Sequence, residues 1–196
     1  MTREELMNLL QPGDVFCSRN PMMLGRAITW FEKLRASDNH AEYSHAGVII
    51  GRPAITFEAL WTNRKQNLFK AYAGTKVLIG RHEYMNDERA VRGWDGIKKY
   101  EGKIYAGWRL IFHAIPFFSK VGTGNFAVCS EMVGKFISKS GVLVAWRHPS
   151  DQLVQAFIKT GESYYWKGRT PDDIADMISG VECVRGWSVV FEDILP

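Results

Sequence analysis

Disulfide frameworks are excluded first: three cysteines, at positions 17, 129 and 183, are odd in number and too widely and irregularly spaced to staple a chain of 196 residues. The expected setting is therefore reducing. Long hydrophobic runs are also missing. No window approaches the ~20 apolar residues of a membrane span, and the opening MTREELMNLLQPGD carries charges inside its apolar positions, unlike a signal-peptide core. The expected location is the cytoplasm, with export by another route left open. Basic runs are missing too. Lys and Arg number 25 against 21 Asp and Glu, a formal charge of +4 with a pI of about 9.0, but they are dispersed along the chain. Such a pattern does not mark a nucleic-acid partner, and its mild basicity weakly favours anionic surroundings such as cell-wall polymer or a lipid surface. Repeats, low-complexity stretches and linker-like composition breaks are absent as well. A hydrophobic share of 46% over this length supplies one core rather than two, so residues 1–196 read as a single domain.

What is there begins with Thr2 and Glu5 at capping-box spacing, which predicts a helix to about Leu10, stopped by Pro12-Gly13. DVFCSR, SHAGVIIG, ITFEAL and TKVLIG are short and β-rich, the second and third separated by the turn-forming GRPA. Residues 22–34 have helical spacing, and residues 87–118 read as mostly helical with breaks at glycines and Pro116. A helix beginning at Cys129 carries the apolar stripe Met132, Val133, Phe136 and Ile137, with Gly141 as its C-cap. Two further helices start at Ser150 and Thr170, the second with Pro171 in its first turn and Gly180 as its stop; ECVRGWSVVFEDI closes the chain as a strand. Strands gathered in the first half without regular β–α alternation favour an α+β fold.

Cys129 stands on the apolar stripe in the first turn of its helix. Unpaired N–H groups and the positive end of the helix dipole would stabilise a thiolate there, the form that attacks carbonyls. A free cysteine also fills core space as a small hydrophobe, so the spacing alone leaves both roles open. A nucleophile needs a base. His45 opens an apolar strand and shares its face with Gly47, which leaves space beside the ring. Glu58, flanked by Phe57 and Ala59, is an acid inside an apolar strand and requires a partner. If residues 51–54 form the hairpin loop, Ile50 pairs with Ile55 and Gly47 with Glu58. His45 and Glu58 then become diagonal neighbours, roughly 7 Å apart. The carboxylate would hold the imidazole as the acid of a triad does, or the two would form a self-satisfied buried pair. Glu58→Gln separates these roles: lost turnover with the fold retained in the first case, a changed melting temperature with ligand binding intact in the second.

Weaker patterns are set aside. His40 and His45 are five apart, which separates them on a helix and puts them on opposite faces of a strand, so no metal site is expected. GTGNFA at 122–127 lacks the preceding strand and following acid of a dinucleotide site. His82, His113 and His148 are isolated, and the tryptophans read as core or cleft walls.

LQPGDVFCSR, YSHAGVIIG, TFEAL, YEGKIYAGW, AVCSEMV and HPSDQL occur in an order that resembles the circularly permuted NlpC-type papain-like cysteine hydrolases, in their YiiX-like branch. The likeness covers about 10–153 and leaves 164–196 as an unassigned C-terminal extension. It implies a papain-like fold, circularly permuted, with a small antiparallel sheet or barrel packed against the helix that carries the cysteine. It implies Cys129 as nucleophile, His45 as base and Glu58 as the residue orienting it, with no cofactor and no metal. The implied activity is hydrolysis of an amide or related acyl bond in a peptide or N-acyl substrate, of which cell-wall peptides are one class. Lipid- or amine-directed acyl transfer and a non-catalytic binding role on the same fold are the alternatives. YAGW stands where the family carries an acid in this tract, which leaves the substrate open.

Overall fold

A computed structural model of the chain describes residues 1–19, 42–60, 62–103, 129–142, 171–180 and 186–196. The helical spacing at 22–34, His40, the glycine-rich 122–127, the helix expected from Ser150, and Cys183 lie outside the described residues, as do His113 and His148. Asn63 through Asn67 form a strand that the sequence pattern missed, because NRKQN has no apolar alternation to reveal it. Six strands among the described residues make one open antiparallel sheet: β1 (Val15–Ser18), β2 (His45–Gly51), β3 (Ile55–Ala59), β4 (Asn63–Asn67), β5 (Lys76–His82) and β6 (Trp187–Ile194). Their spatial order is β4-β3-β2-β1-β5-β6, every neighbouring pair antiparallel.

Helix α1 (Arg3–Leu9) carries the expected capping box, Thr2 and Glu5 each closing on the other's backbone N–H. A one-and-a-half-turn helix, α2 (Leu68–Tyr72), follows β4 directly, N-capped by Asn67. Next come α3 (Asp87–Ile97), capped by Asn86, α4 (Cys129–Ser140) and α5 (Pro171–Ser179). Gly141 and Gly180 both take positive φ, 74° and 75°, directly after α4 and α5, as the stop signals require.

Strand alternation sorts the core into two halves. Val15, Cys17, Ala46, Val48, Phe57 and Leu78 point to one face, where α3, α4 and α5 pack with Met132, Val133, Phe136, Ile174 and Met177. Phe16, Ile49, Val77 and Ile79 point to the other, under Leu6, Leu10, Leu68, Phe69 and Tyr72 of the short helices and their flanks. Helix α5 seats closely because Gly80 of β5 has no side chain: a Cβ there would lie 2.4 Å from Ile178. Residues Pro171–Ser179 and Trp187–Ile194, in the stretch left unassigned by sequence, are thus part of the sheet and its cover. Asp14 is a structural residue of the turn into β1. Its buried carboxylate accepts two hydrogen bonds from Arg81, at 2.7 and 2.8 Å, and one from the Gln11 N–H.

Candidate active site

The β2–β3 hairpin decides where the acid meets the imidazole. Gly47 pairs with Glu58 and Val48 with Phe57, as the hairpin expectation has it. The expected Ile50–Ile55 pair does not form. Ile55 pairs with Gly51, and an irregularity between Ile49 and Gly51 absorbs the extra residue. His45, Gly47 and Ile49 therefore share the α2 face, and the His45 Nε2 reaches Glu58 Oε2 at 3.0 Å. Space beside Gly47 is filled rather than open. A Cβ there would stand 2.6 Å from the Phe16 ring and 2.9 Å from Glu58 Cγ. Gly47→Ala is therefore expected to displace Phe16 or Glu58. The destabilisation should be about 1–3 kcal/mol, read as a lower midpoint of denaturant unfolding with an unchanged slope.

Glu58 is fully buried, and four donors surround its carboxylate: His45, the Thr56 hydroxyl, Gln66 Nε2 at 2.8 Å and the Tyr72 hydroxyl at 2.5 Å. Burial works to raise its pKa. The hydrogen bond and charge of His45, with the hydrogen bonds of Thr56 and Tyr72, outweigh it and hold the carboxyl below its ordinary value. Burial and the Glu58 charge raise the Tyr72 pKa, so Tyr72 stays a neutral phenol and a donor. Its ring stacks on the imidazole at 6.1 Å between centroids, and Phe16 closes the edge at 6.2 Å. The sequence reading found Glu58 but missed Thr56, Gln66 and Tyr72. Thr56 was visible two residues away on the same strand face. Gln66 and Tyr72 belong to β4 and α2, which no periodicity announced.

Cys129 arrives from the other face, at the first residue of α4, where β2 begins. With Nε2 committed to Glu58, Nδ1 is the nitrogen left for the thiol. Burial pushes the Cys129 pKa up. The hydrogen bond from His45, the imidazolium charge and the N–H groups of Ala46 and Ser130 pull it down by more, leaving it below the ordinary thiol value. The partner responds in the complementary sense. Burial lowers the His45 pKa, but hydrogen bonds to Cys129 and Glu58 raise it to about 10. Both shifts run in the direction that favours the proton on the ring and the charge on the sulfur. Cys17, by contrast, is a buried core thiol whose S–H donates to the Pro171 carbonyl at 3.5 Å. His82 is likewise structural, edge-on to Trp187 with its Nδ1 accepting the Tyr84 N–H at 3.2 Å.

The architecture has a solved counterpart. The crystal structure of YiiX from Escherichia coli O157:H7, described as a metalloprotein and as DUF1105, matches with a TM-score of 0.58 at 20% identity. The match spans 93% of this chain and 97% of that one. The fold is YiiX-like. No protein-family model matches the sequence, and no curated protein does. At this identity the likeness is one of fold. Among the described residues, no helix is long and apolar enough to cross a membrane. Nor do the described residues bring three His, Cys, Asp or Glu side chains together as metal ligands.

Proposed function

We propose that the chain is a cysteine-dependent hydrolase of amide or related acyl bonds, built on a permuted papain-like arrangement. One observation carries the reading: the thiol at the head of α4 is hydrogen-bonded to the His45 imidazole, which the buried Glu58 carboxylate holds at 3.0 Å. The chain order, histidine and acid before cysteine, agrees with permutation of the papain order.

The Cys129 thiolate attacks the acyl carbon, and the carbonyl electrons move onto oxygen. N–H groups at the start of α4, including that of Cys129 itself, stabilise the oxyanion. As the tetrahedral species collapses, the bond to the leaving amine breaks and the His45 imidazolium gives that amine its proton, leaving a thioester on Cys129. His45, now neutral, takes a proton from water. The hydroxide adds to the thioester, and the thiolate departs to pair again with the imidazolium. Glu58 keeps the ring oriented and its charge favours the imidazolium in both halves. The four donors around Glu58 commit its oxygens. Peptide and N-acyl amides are the substrate class this chemistry suits; an amine or lipid acceptor in place of water would discharge the same thioester.

The test uses the wild-type chain with an activated acyl ester and a panel of N-acyl peptides, quenched in acid and read by mass spectrometry. An acyl adduct on Cys129, absent from Cys17 and Cys183, is expected. Acyl-amine products on adding an amine would identify transfer. No adduct from any activated ester would overturn the enzyme reading in favour of a binding protein that keeps the fold.

A further inference from the structure

Residues 42–44 lead directly into His45, and the last third of the chain holds them. One carboxylate oxygen of Asp172, the second residue of α5, accepts the N–H of Glu42 at 3.0 Å and that of Tyr43 at 3.4 Å. These amides precede β2 and have no place in its ladder, which begins at His45. The helix supplying the carboxylate is itself fixed. The Pro171 carbonyl accepts the Cys17 S–H at 3.5 Å, one residue before Ser18, which pairs with His45. Ile174 and Met177 are fully buried, and Ile178 lies over Gly80. The same three residues are braced elsewhere. The Tyr43 hydroxyl donates to Glu192 of β6 at 3.2 Å, Lys76 bridges Glu42 and Glu192 at 2.9 and 3.4 Å, and the Ser44 N–H reaches the Ser18 carbonyl at 3.1 Å. Among these braces, the Asp172 carboxylate takes two successive amides at once. A charge-assisted bond of this kind is about twice as strong as a neutral one.

We propose that Asp172 is a positioning residue for the Cys129–His45 pair: by clamping the Glu42 and Tyr43 amides, it keeps the imidazole on the sulfur. The inference rests on the reading of that pair as the reacting centre. Its physical content is leverage. His45 opens its strand, so the sheet ladder runs on from it in one direction only, and in the other the clamp adds a charge-assisted restraint to the braces on residues 42–44. The imidazole's hold on the thiolate tolerates only a small displacement, because a hydrogen bond weakens steeply with distance and angle. Asp172 thereby gives the C-terminal segment a share in the site without touching a reacting atom.

The test follows the ultraviolet absorbance of the thiolate against pH in the full-length chain, as a difference from Cys129→Ser. Wild type, Asp172→Ala and Asp172→Asn are compared at a temperature where circular dichroism shows each folded. Wild type is expected to show its inflection below the ordinary thiol value of about 8.5. In Asp172→Ala the inflection should move upward, and amide exchange at Glu42 and Tyr43 should quicken by about tenfold or more, the factor for losing a hydrogen bond to a charged group. Asp172→Asn, whose side-chain carbonyl still accepts, should stay near wild type. Should the alanine variant not fold, Asp172→Ser takes its place, since its short hydroxyl cannot span both amides. A folded variant with faster exchange but an unmoved inflection would reduce Asp172 to a structural brace and overturn the proposal. A wild-type inflection near 8.5 would instead remove the Cys129–His45 reading, and the proposal with it.

Discussion

His45→Ala is expected to move the ionisation of Cys129 up to the ordinary thiol range near 8.5 or beyond, and to lower turnover by about a thousandfold or more. The thiol is buried, which favours its neutral form. What reverses that preference is first the hydrogen bond and charge of the imidazole, and only then the N–H groups of Ala46 and Ser130. With the imidazole gone, two neutral amide dipoles must oppose desolvation alone. The pH dependence of stability carries the same signature. His45 has a folded pKa raised from 6.5 to about 10, so its contribution is complete below 6.5 and lost as pH rises through about 10. Cys129 works in the opposite sense, because its folded pKa is lowered from 9.0; its contribution is complete above that value and lost as pH falls through the lowered one. Where His45 holds a proton that the unfolded chain would lose and Cys129 has lost one that the unfolded chain would keep, the net uptake is small, so thermal stability should be nearly flat with pH there. Thiolate absorbance against pH in wild type and variant checks the first claim. An unmoved inflection in His45→Ala would mean that the helix start alone activates the sulfur.

Glu58→Gln is expected to lower turnover by between about a hundredfold and ten-thousandfold, and to lower the melting temperature by on the order of 10 °C. From the sequence alone, a catalytic Glu58 implied an unchanged fold, and the donors around it alter that expectation. Thr56, Gln66, Tyr72 and His45 all direct hydrogens at this carboxylate. An amide presents its own N–H₂ to at least one of them, leaving buried donors facing each other without an acceptor. Breaking such a buried charged set by altering one partner costs about 3–5 kcal/mol. Melting loss therefore accompanies either role, and activity alone separates them: a variant that melts early but retains full turnover would exclude Glu58 from the mechanism. The melting difference also depends on pH in a fixed direction. Glu58 has a folded pKa below its reference value of 4.5, so its stabilisation is present above 4.5 and lost as pH falls through the folded value. Wild type and Glu58→Gln should converge in acid, which thermal scans from pH 7 down to about 3 would detect.

Much of this was legible along the chain because local signals carried it. Helix α1 follows from Thr2 and Glu5, α5 from Pro171 and Gly180, and the strands of the first half from their β-branched and aromatic content. The candidate site was legible in kind. A cysteine at the head of an apolar-striped helix, a histidine opening a strand and an acid inside one each broke its local pattern, and a polar group among apolar neighbours must answer to something beyond its own segment. Strand alternation also put His45 and Glu58 on one face before any contact was known.

Only the tertiary structure could decide the rest, because the deciding partners come from other elements. Nothing in NRKQN or LFKAY marks β4 or α2, and Gln66 and Tyr72 matter solely because those elements fold back over Glu58. The sulfur and the imidazole are 84 positions apart and belong to opposite faces of the sheet. They meet because α4 begins where β2 does, a coincidence of packing that no periodicity encodes. Asp172 reads as an ordinary acid in a helix's first turn until α5 is set against residues 42 and 43. A sequence fixes which side chains cannot be content with their own neighbours; the three-dimensional arrangement chooses the neighbours, since burial and hydrogen bonding are satisfied by distance in space and not by distance along the chain.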